Sequence, residues 1–345
     1  MDIRRSLSNH AGPRRSPHEV LRRLAERVTP GTAPEDPVRE LEERVAGLLG
    51  KPKALFFPSG TMAQQTALRV HAEATKKHAF AGHPQSHLHV WENQGYSAVH
   101  GLRFHPAGDR HALLTLDDLK AVREPLAAIV IELPQRDIGG RLPTFEELEA
   151  QTRWAKQNGV KTHCDGARIW EAQTAYEQNV AGLFDTVYVS LYKGLEGVRG
   201  AVLAGDEETI GHAEVWRRRL GGAIADAWPL AAIALMGMDE NLPRMREFKS
   251  HAQELAKAIN DDGFAHTTPE TPLTPLFHVH LPMPRDKAQQ AMENLSEETG
   301  IKLFLYARSN PDERRCSFEI SVGVNALEFT PREVAELIRG LPSRV

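Results

Sequence analysis

The chain has 345 residues, 41% of them hydrophobic and 26% charged, with a formal net charge of −4. That length exceeds what one core ordinarily holds, so a large domain and a smaller one are expected, and the near balance of charges leaves neither a nucleic-acid footprint nor a basic membrane patch. The two cysteines, Cys164 and Cys316, are too few and too far apart for a disulfide framework or a zinc spacing.

Residues 1–35 are rich in Arg, Ser, Pro and Gly and carry no apolar run, so no secretory signal is expected and the stretch reads as an arm that packs elsewhere in an assembly. One helical patch, 17–27, interrupts it. Val38, Leu41, Val45 and Leu48 then recur at helical spacing, with Gly50 as a stop signal. Short apolar runs and helical patterns alternate from there. Strands are expected at 54–57, 127–133, 160–164, 186–191 and 201–204, and helices at 60–74 and 145–157. This alternation predicts an α/β domain with a mostly parallel sheet. A helical stretch follows over 223–260, with a break near Leu242-Pro243. The remainder predicts strands at 276–281 and 316–322 and helices at 285–299 and 331–339, a small α+β domain. The domain reading is therefore an arm at 1–35, a large domain at 36–245 and a small one at 246–345. The run Arg217-Arg218-Arg219 reads as a solvated helix end. No segment approaches the ~20 apolar residues that cross a bilayer.

Four segments carry candidate chemistry. In Phe56-Phe57-Pro58-Ser59-Gly60-Thr61-Met62, Gly60 permits a tight turn. Helix-start amides together with the Thr61 hydroxyl can bind a phosphate; the competing reading is an ordinary helix cap. Asp165 of His163-Cys164-Asp165-Gly166-Ala167-Arg168 lies at the end of a strand, where α/β sheets bind ligands. Arg168 would lie on the same side, able to pair with an anion; the alternative is a surface Asp-Arg pair. In Ser190-Leu191-Tyr192-Lys193-Gly194, a lysine just past a buried strand can be desolvated into a nucleophile, or it is a plain loop lysine. The fourth segment is Ser86-His87-Leu88 with Glu92 beyond it. A histidine there can stack on a ring or move protons, or be structural.

The order and spacing of Phe-Pro-Ser-Gly-Thr-Met, Ser-His-Leu with Glu92, Asp-Gly-Ala-Arg and Lys-Gly-Leu resemble the threonine aldolase and β-eliminating lyase family of fold-type-I pyridoxal-phosphate (PLP) enzymes. The resemblance covers roughly residues 38–225, and Arg219-Leu220-Gly221-Gly222 also matches it. It implies a fold-type-I PLP-dependent transferase-like architecture with pyridoxal 5'-phosphate as cofactor. Lys193 would carry the cofactor as a Schiff base, and Asp165 would pair with the pyridine nitrogen. His87 would stack on the ring, Gly60 and Thr61 would hold the phosphate, and Arg168 would contact the cofactor or a substrate carboxylate. Glu92 would lie near the substrate hydroxyl or an ordered water.

Three departures stand out. The family's opening Ser-Asp-Thr is missing from residues 1–30. Glu132 is followed by Leu133-Pro134-Gln135-Arg136, so Gln135 takes a position usually held by histidine. The C-terminal arginine that binds the substrate carboxylate has only Arg315 as its candidate. The reaction expected is retro-aldol cleavage of a β-hydroxy-α-amino acid to glycine and an aldehyde, with Glu92 or His87 as base. The alternatives are β-elimination or another side-chain cleavage, and a PLP-fold protein that binds without turnover. The remaining expectations are a small amino acid substrate, no metal, no nucleic-acid or membrane partner, a cytoplasmic homodimer or homotetramer, and no nicotinamide site, since no Gly-x-Gly-x-x-Gly follows a strand.

Overall fold

The structure is a computed structural model that describes residues 3–9 and 15–345. The chain divides into two compact units. The larger comprises residues 21–137 and 142–242, and the smaller comprises the N-terminal residues to 20, a loop at 138–141, and 243–345. The arm expected at 1–35 is only partly open to description, because residues 1, 2 and 10–14 lie outside the described residues. The helix expected within it forms as α1, Pro17–Arg27.

The larger unit is built on a seven-stranded sheet. Its strands in chain order are β1 (Lys53–Phe57), β2 (Ala79–Gly82), β3 (Arg103–Pro106), β4 (Leu126–Glu132), β5 (Lys161–Gly166), β6 (Thr186–Ser190) and β7 (Ala201–Gly205). The spatial order is β1-β7-β6-β5-β4-β2-β3. Only β7 runs against the rest. β4 and β6 are buried at every residue, since a parallel strand is covered on both faces, and β4 accordingly reads as an apolar run up to Glu132.

Helices α2 (Asp36–Leu49), α3 (Gly60–Thr75), α4 (Phe145–Gln157), α5 (Glu207–Arg219) and α6 (Trp228–Asn241) belong to this unit. Ser59 and Thr144 cap α3 and α4 by accepting the N3 amides at 3.2 Å. Ala63 and Ala67 of α3 pack on Leu55, Phe57, Tyr188 and Leu203. Each buried Leu or Phe of such a cluster contributes roughly 1.5–3 kcal/mol. The helical stretch expected from residue 223 begins instead at Trp228, where Pro229 occupies the first turn and needs no amide partner. The arginine run is not a solvated end throughout: Arg217 donates to the Phe56 carbonyl at 2.7 Å and its side chain is 16% exposed.

The smaller unit holds α7 (Met245–Asp262), α8 (Arg285–Thr299) and α9 (Pro331–Arg339), with β8 (His266–Thr268), β9 (Leu276–Leu281), β10 (Arg308–Ser309) and β11 (Cys316–Ser321). Its four strands are antiparallel in the order β10-β11-β9-β8. Phe304 and Phe318 stack in its core at 4.3 Å.

Candidate active site

The six strands β1 to β6 run the same way and deliver their following loops to one end of the sheet, where α/β proteins bind ligands. β1 leads into Ser59-Gly60-Thr61 at the start of α3. β2 leads to His87, β4 ends on Glu132, β5 carries Asp165, and β6 runs into Lys193.

Asp165 is buried and sits in register with Glu132 on one side and Tyr188 on the other. Parallel register puts all three side chains on the same face. One oxygen of Asp165 accepts the Ala167 amide at 3.2 Å, which holds the carboxylate at the turn after β5. Tyr188 reaches the first turn of α3, where a Cβ on Gly60 would overlap its hydroxyl. Gly60 is thus required by close approach and not by an unusual turn, since it does not adopt a positive φ. Thr61 is exposed at the same helix start. Gly222 packs on Met62 beside it, which brings the Leu220-Gly221-Gly222 loop to this helix end.

Lys193 is held by its loop. The Leu195 carbonyl accepts from Asn241 at 3.2 Å, and Gly237 of α6 passes so close that a Cβ there would overlap the same carbonyl. The Lys193 amine is pushed down to about 8. Burial is the main cause and Arg168 adds to it, while Asp165 and Glu132 oppose it. An amine at that level is part neutral near pH 8 and can act as a nucleophile.

His87 opens a single helical turn, His87–Val90. Its backbone amide donates to Glu132 at 3.1 Å and its Nδ1 meets Glu92 at 3.1 Å. Glu92 is buried and also accepts from Gln64 at 3.2 Å and Gln65 at 3.3 Å. A carboxylate so engaged fixes the imidazole with its Nδ1 proton toward Glu92, leaving Nε2 as the nitrogen able to take a proton. Gln135 is buried and donates to Glu132 at 3.2 Å and to the Gln85 carbonyl at 3.3 Å.

Glu132 is a site residue that the sequence motifs do not mark. It accepts from His87, Gln135 and, at 3.2 Å, the Arg136 amide. Burial first, and then the charge of Asp165, push it up to about 7. Its signal was present: it is a lone charged residue closing an otherwise apolar strand, and like Asp165 it lies at a strand's C-terminal end. Gln64, Gln65 and Tyr188 gave no such sign.

Arg168 is buried, so Asp165 and Arg168 are not a surface pair. Arg315 belongs to the smaller unit, where it is more than half exposed and its Nε lies 3.7 Å from Asp312. The larger unit therefore brings together Gly60, His87, Glu92, Gln135, Asp165, Arg168 and Lys193. Among the described residues no cluster of three or more His, Cys, Asp or Glu side chains could hold a metal, and no helix is long and apolar enough to cross a membrane.

These residues fit the cofactor that the resemblance implies. A buried carboxylate and an amine of lowered pKa share one end of the sheet. In the same neighbourhood the buried Ser86 hydroxyl and Gln64 Oε1 have no hydrogen-bond partner, and a polar ligand would satisfy such groups.

The chain is 31% identical to low-specificity L-threonine aldolase 1 of Arabidopsis thaliana over 83% of this chain and 82% of that protein. It matches a Listeria monocytogenes crystal structure, provisionally assigned as an L-allo-threonine aldolase, at 34% identity and a TM-score of 0.92, over 100% of this chain and 97% of that one. An Exiguobacterium structure, provisionally assigned as an aromatic amino acid beta-eliminating lyase/threonine aldolase, matches at 34% identity and a TM-score of 0.91, over 100% and 98%. These matches bear out the fold class expected from the sequence. The model of one family, beta-eliminating lyase, matches residues 31–280, and the chain belongs to that family.

Proposed function

We propose that the protein is a PLP-dependent lyase that cleaves a threonine-like β-hydroxy-α-amino acid into glycine and an aldehyde. The observation that carries this reading is the His87–Glu92 pair. It leaves one imidazole nitrogen free, and Glu132 ties it to the ends of the strands that carry Asp165 and Lys193.

Lys193 is the residue that would hold pyridoxal phosphate covalently. Asp165 would keep the pyridine nitrogen protonated, and the first turn of α3 at Gly60 and Thr61 would take the phosphate. The cofactor supplies the electron sink for the pair released when the Cα–Cβ bond breaks. The protein's own groups do the rest. Arg168 would pair with the substrate carboxylate, as guanidinium groups do. His87 accepts the β-hydroxyl proton at Nε2 while Glu92 keeps the ring oriented and supports its positive charge. As that proton leaves, the Cβ–O bond becomes the aldehyde carbonyl, and Cα gains a proton to give glycine. Gln135 cannot take a proton. With its amide on Glu132, it orients.

This order revises the expectation from sequence, in which Glu92 came before His87 as base. Glu92 is buried with both oxygens engaged, whereas His87 is partly exposed.

The reading extends to a cytoplasmic homodimer or homotetramer, supported by the family's usual subunit-interface site and by the cysteine usage. A stable, active monomer in light scattering argues against that extension. The function itself is tested by two assays. Borohydride should fix the cofactor to Lys193, and a panel of β-hydroxy amino acids should yield glycine. Pyruvate from a β-substituted alanine, with no glycine from any member of the panel, moves the assignment to β-elimination.

A further inference from the structure

Glu171 lies in the short helix Ile169–Gln173 that follows Asp165 and Arg168. It is 4% exposed, and its Oε2 has no hydrogen-bond partner. The carboxylate packs directly on the turn that carries Lys193. A Cβ on Gly194 would overlap it, with the carboxylate carbon 2.7 Å away. Burying a carboxylate is costly, and an apolar side chain of similar volume would fill the same space without that cost. The proposed reaction makes no use of Glu171, and no strand end presents it.

We propose that Glu171 is a positioning residue for Lys193: its buried carboxylate, seated on the Gly194 backbone, holds the lysine turn and supplies the negative charge that offsets Arg168 beside the amine. The proposal rests on the reading of Lys193 as the cofactor-bearing amine. The charges acting most on that amine are Arg168, Asp165, Glu132 and Arg136, and Lys193 in turn is one of the charges acting on Glu171. Asp165 and Glu132 already have tasks, one toward the ring nitrogen and one under three donors. Glu171 is the carboxylate on the Gly194 side. Burial raises its carboxyl, while Arg168, then Lys193 and the Gly194 amide, favour the ionised form. The two cations and the carboxylate therefore sustain one another.

The sign follows from elementary electrostatics. A negative charge favours the protonated amine. Its loss removes that support, so the nitrogen gives up its proton at lower pH. In the loaded enzyme this is read as the midpoint of the pH-dependent visible absorbance. In the cofactor-free protein it is read as the pH profile of Lys193 acetylation, followed by peptide mass spectrometry.

In Glu171→Gln, which keeps the shape and removes the charge, both midpoints should fall by about one pH unit. Gly194→Ala, whose methyl displaces the carboxylate, should shift them in the same direction. Glu171→Asp, which keeps the charge, should stay closer to wild type than Glu171→Gln. Unchanged midpoints in either of the first two variants, once folded, overturn the proposal. So does an Asp variant that shifts as far as the Gln variant, because packing alone would then explain the effect. Borohydride trapping on a different lysine would instead sink the cofactor assignment, while acetylation would still report whether Glu171 acts on Lys193.

Discussion

His87 meets Glu92 through Nδ1 at 3.1 Å, and the two side chains differ sharply in exposure, 30% for the imidazole and 1% for the carboxylate. The exposed member of such a pair can touch substrate, and the buried one acts through it.

This division of labour predicts a non-additive pair of variants. His87→Asn should lower aldol cleavage by about 10²–10⁴-fold, the usual worth of a general base. Glu92→Gln should cost less, because the imidazole remains but loses its fixed orientation. The double variant should be scarcely worse than His87→Asn alone, since in the proposed reaction Glu92 acts on the substrate only through the ring. Steady-state kinetics of the three variants decide it. Additive losses would mean that Glu92 acts independently, as a base in its own right.

A second expectation separates ring chemistry from folding. Asp165→Ala removes the charge that, in the proposed function, favours a protonated pyridine nitrogen. The variant should remain folded by circular dichroism, still give a borohydride adduct on Lys193, and be nearly inactive. Near-normal turnover would show that Asp165 does not face the ring nitrogen.

Much of this site was legible because its residues sit at punctuation marks. Asp165 closes a strand, Lys193 lies just past one, and Ser59-Gly60-Thr61 marks a strand-to-helix junction. Central strands β4, β5 and β6 were legible for the same reason, being covered on both faces. β2 and β3 were not. Ala79-Phe80-Ala81-Gly82 has weak strand propensity, and β3 is a half-exposed edge strand that ends on Pro106. The reversal of β7 left no local mark either, because strand direction is set by connections and not by side-chain pattern. The hydrogen bonds of Glu92 with Gln64 and Gln65 join residues 27 and 28 positions apart, which no periodicity reveals.

Gln135 offers a contrast with Glu132, to which it donates. In Gln135→Ala the loss should be modest, within about tenfold, since one neutral hydrogen bond contributes roughly 0.5–1.5 kcal/mol. Glu132→Ala removes the acceptor of three donors, two of them backbone amides at His87 and Arg136, and should cost considerably more. A larger loss at Gln135 than at Glu132, measured as kcat/KM, would show that the amide contacts the substrate directly.

The last prediction concerns acid stability and lies away from the chemistry. His71 of α3 and His163 of β5 both bond the Thr186 hydroxyl, at 2.8 and 2.9 Å, in a fully buried cluster. Burial pushes His71 down to about 4. It pushes His163 down to about 3, with a contribution from His71. Both rings are therefore neutral in the folded protein while the unfolded chain takes up protons below about 6.5. The unfolded state binds more protons in that window, so the contribution of the pair is complete above pH 6.5 and is lost as pH falls toward 4. For His71 alone the loss is about 3 kcal/mol, at 1.36 kcal/mol per unit. Glu132 works in the opposite direction: a carboxyl raised to about 7 costs stability as pH rises from 4.5 to 7, which partly masks the histidines in the wild type. The comparison must therefore be between variants. His71→Gln/His163→Gln removes the titrating rings, so its urea-unfolding free energy should decline less between pH 7 and pH 4.5 than that of the wild type, by about 5 kcal/mol. Parallel declines in the two proteins would mean that the buried imidazoles do not set the acid limit, and that Asp185, held below the ordinary carboxylate range by its bonds to Thr162, is the next group to replace.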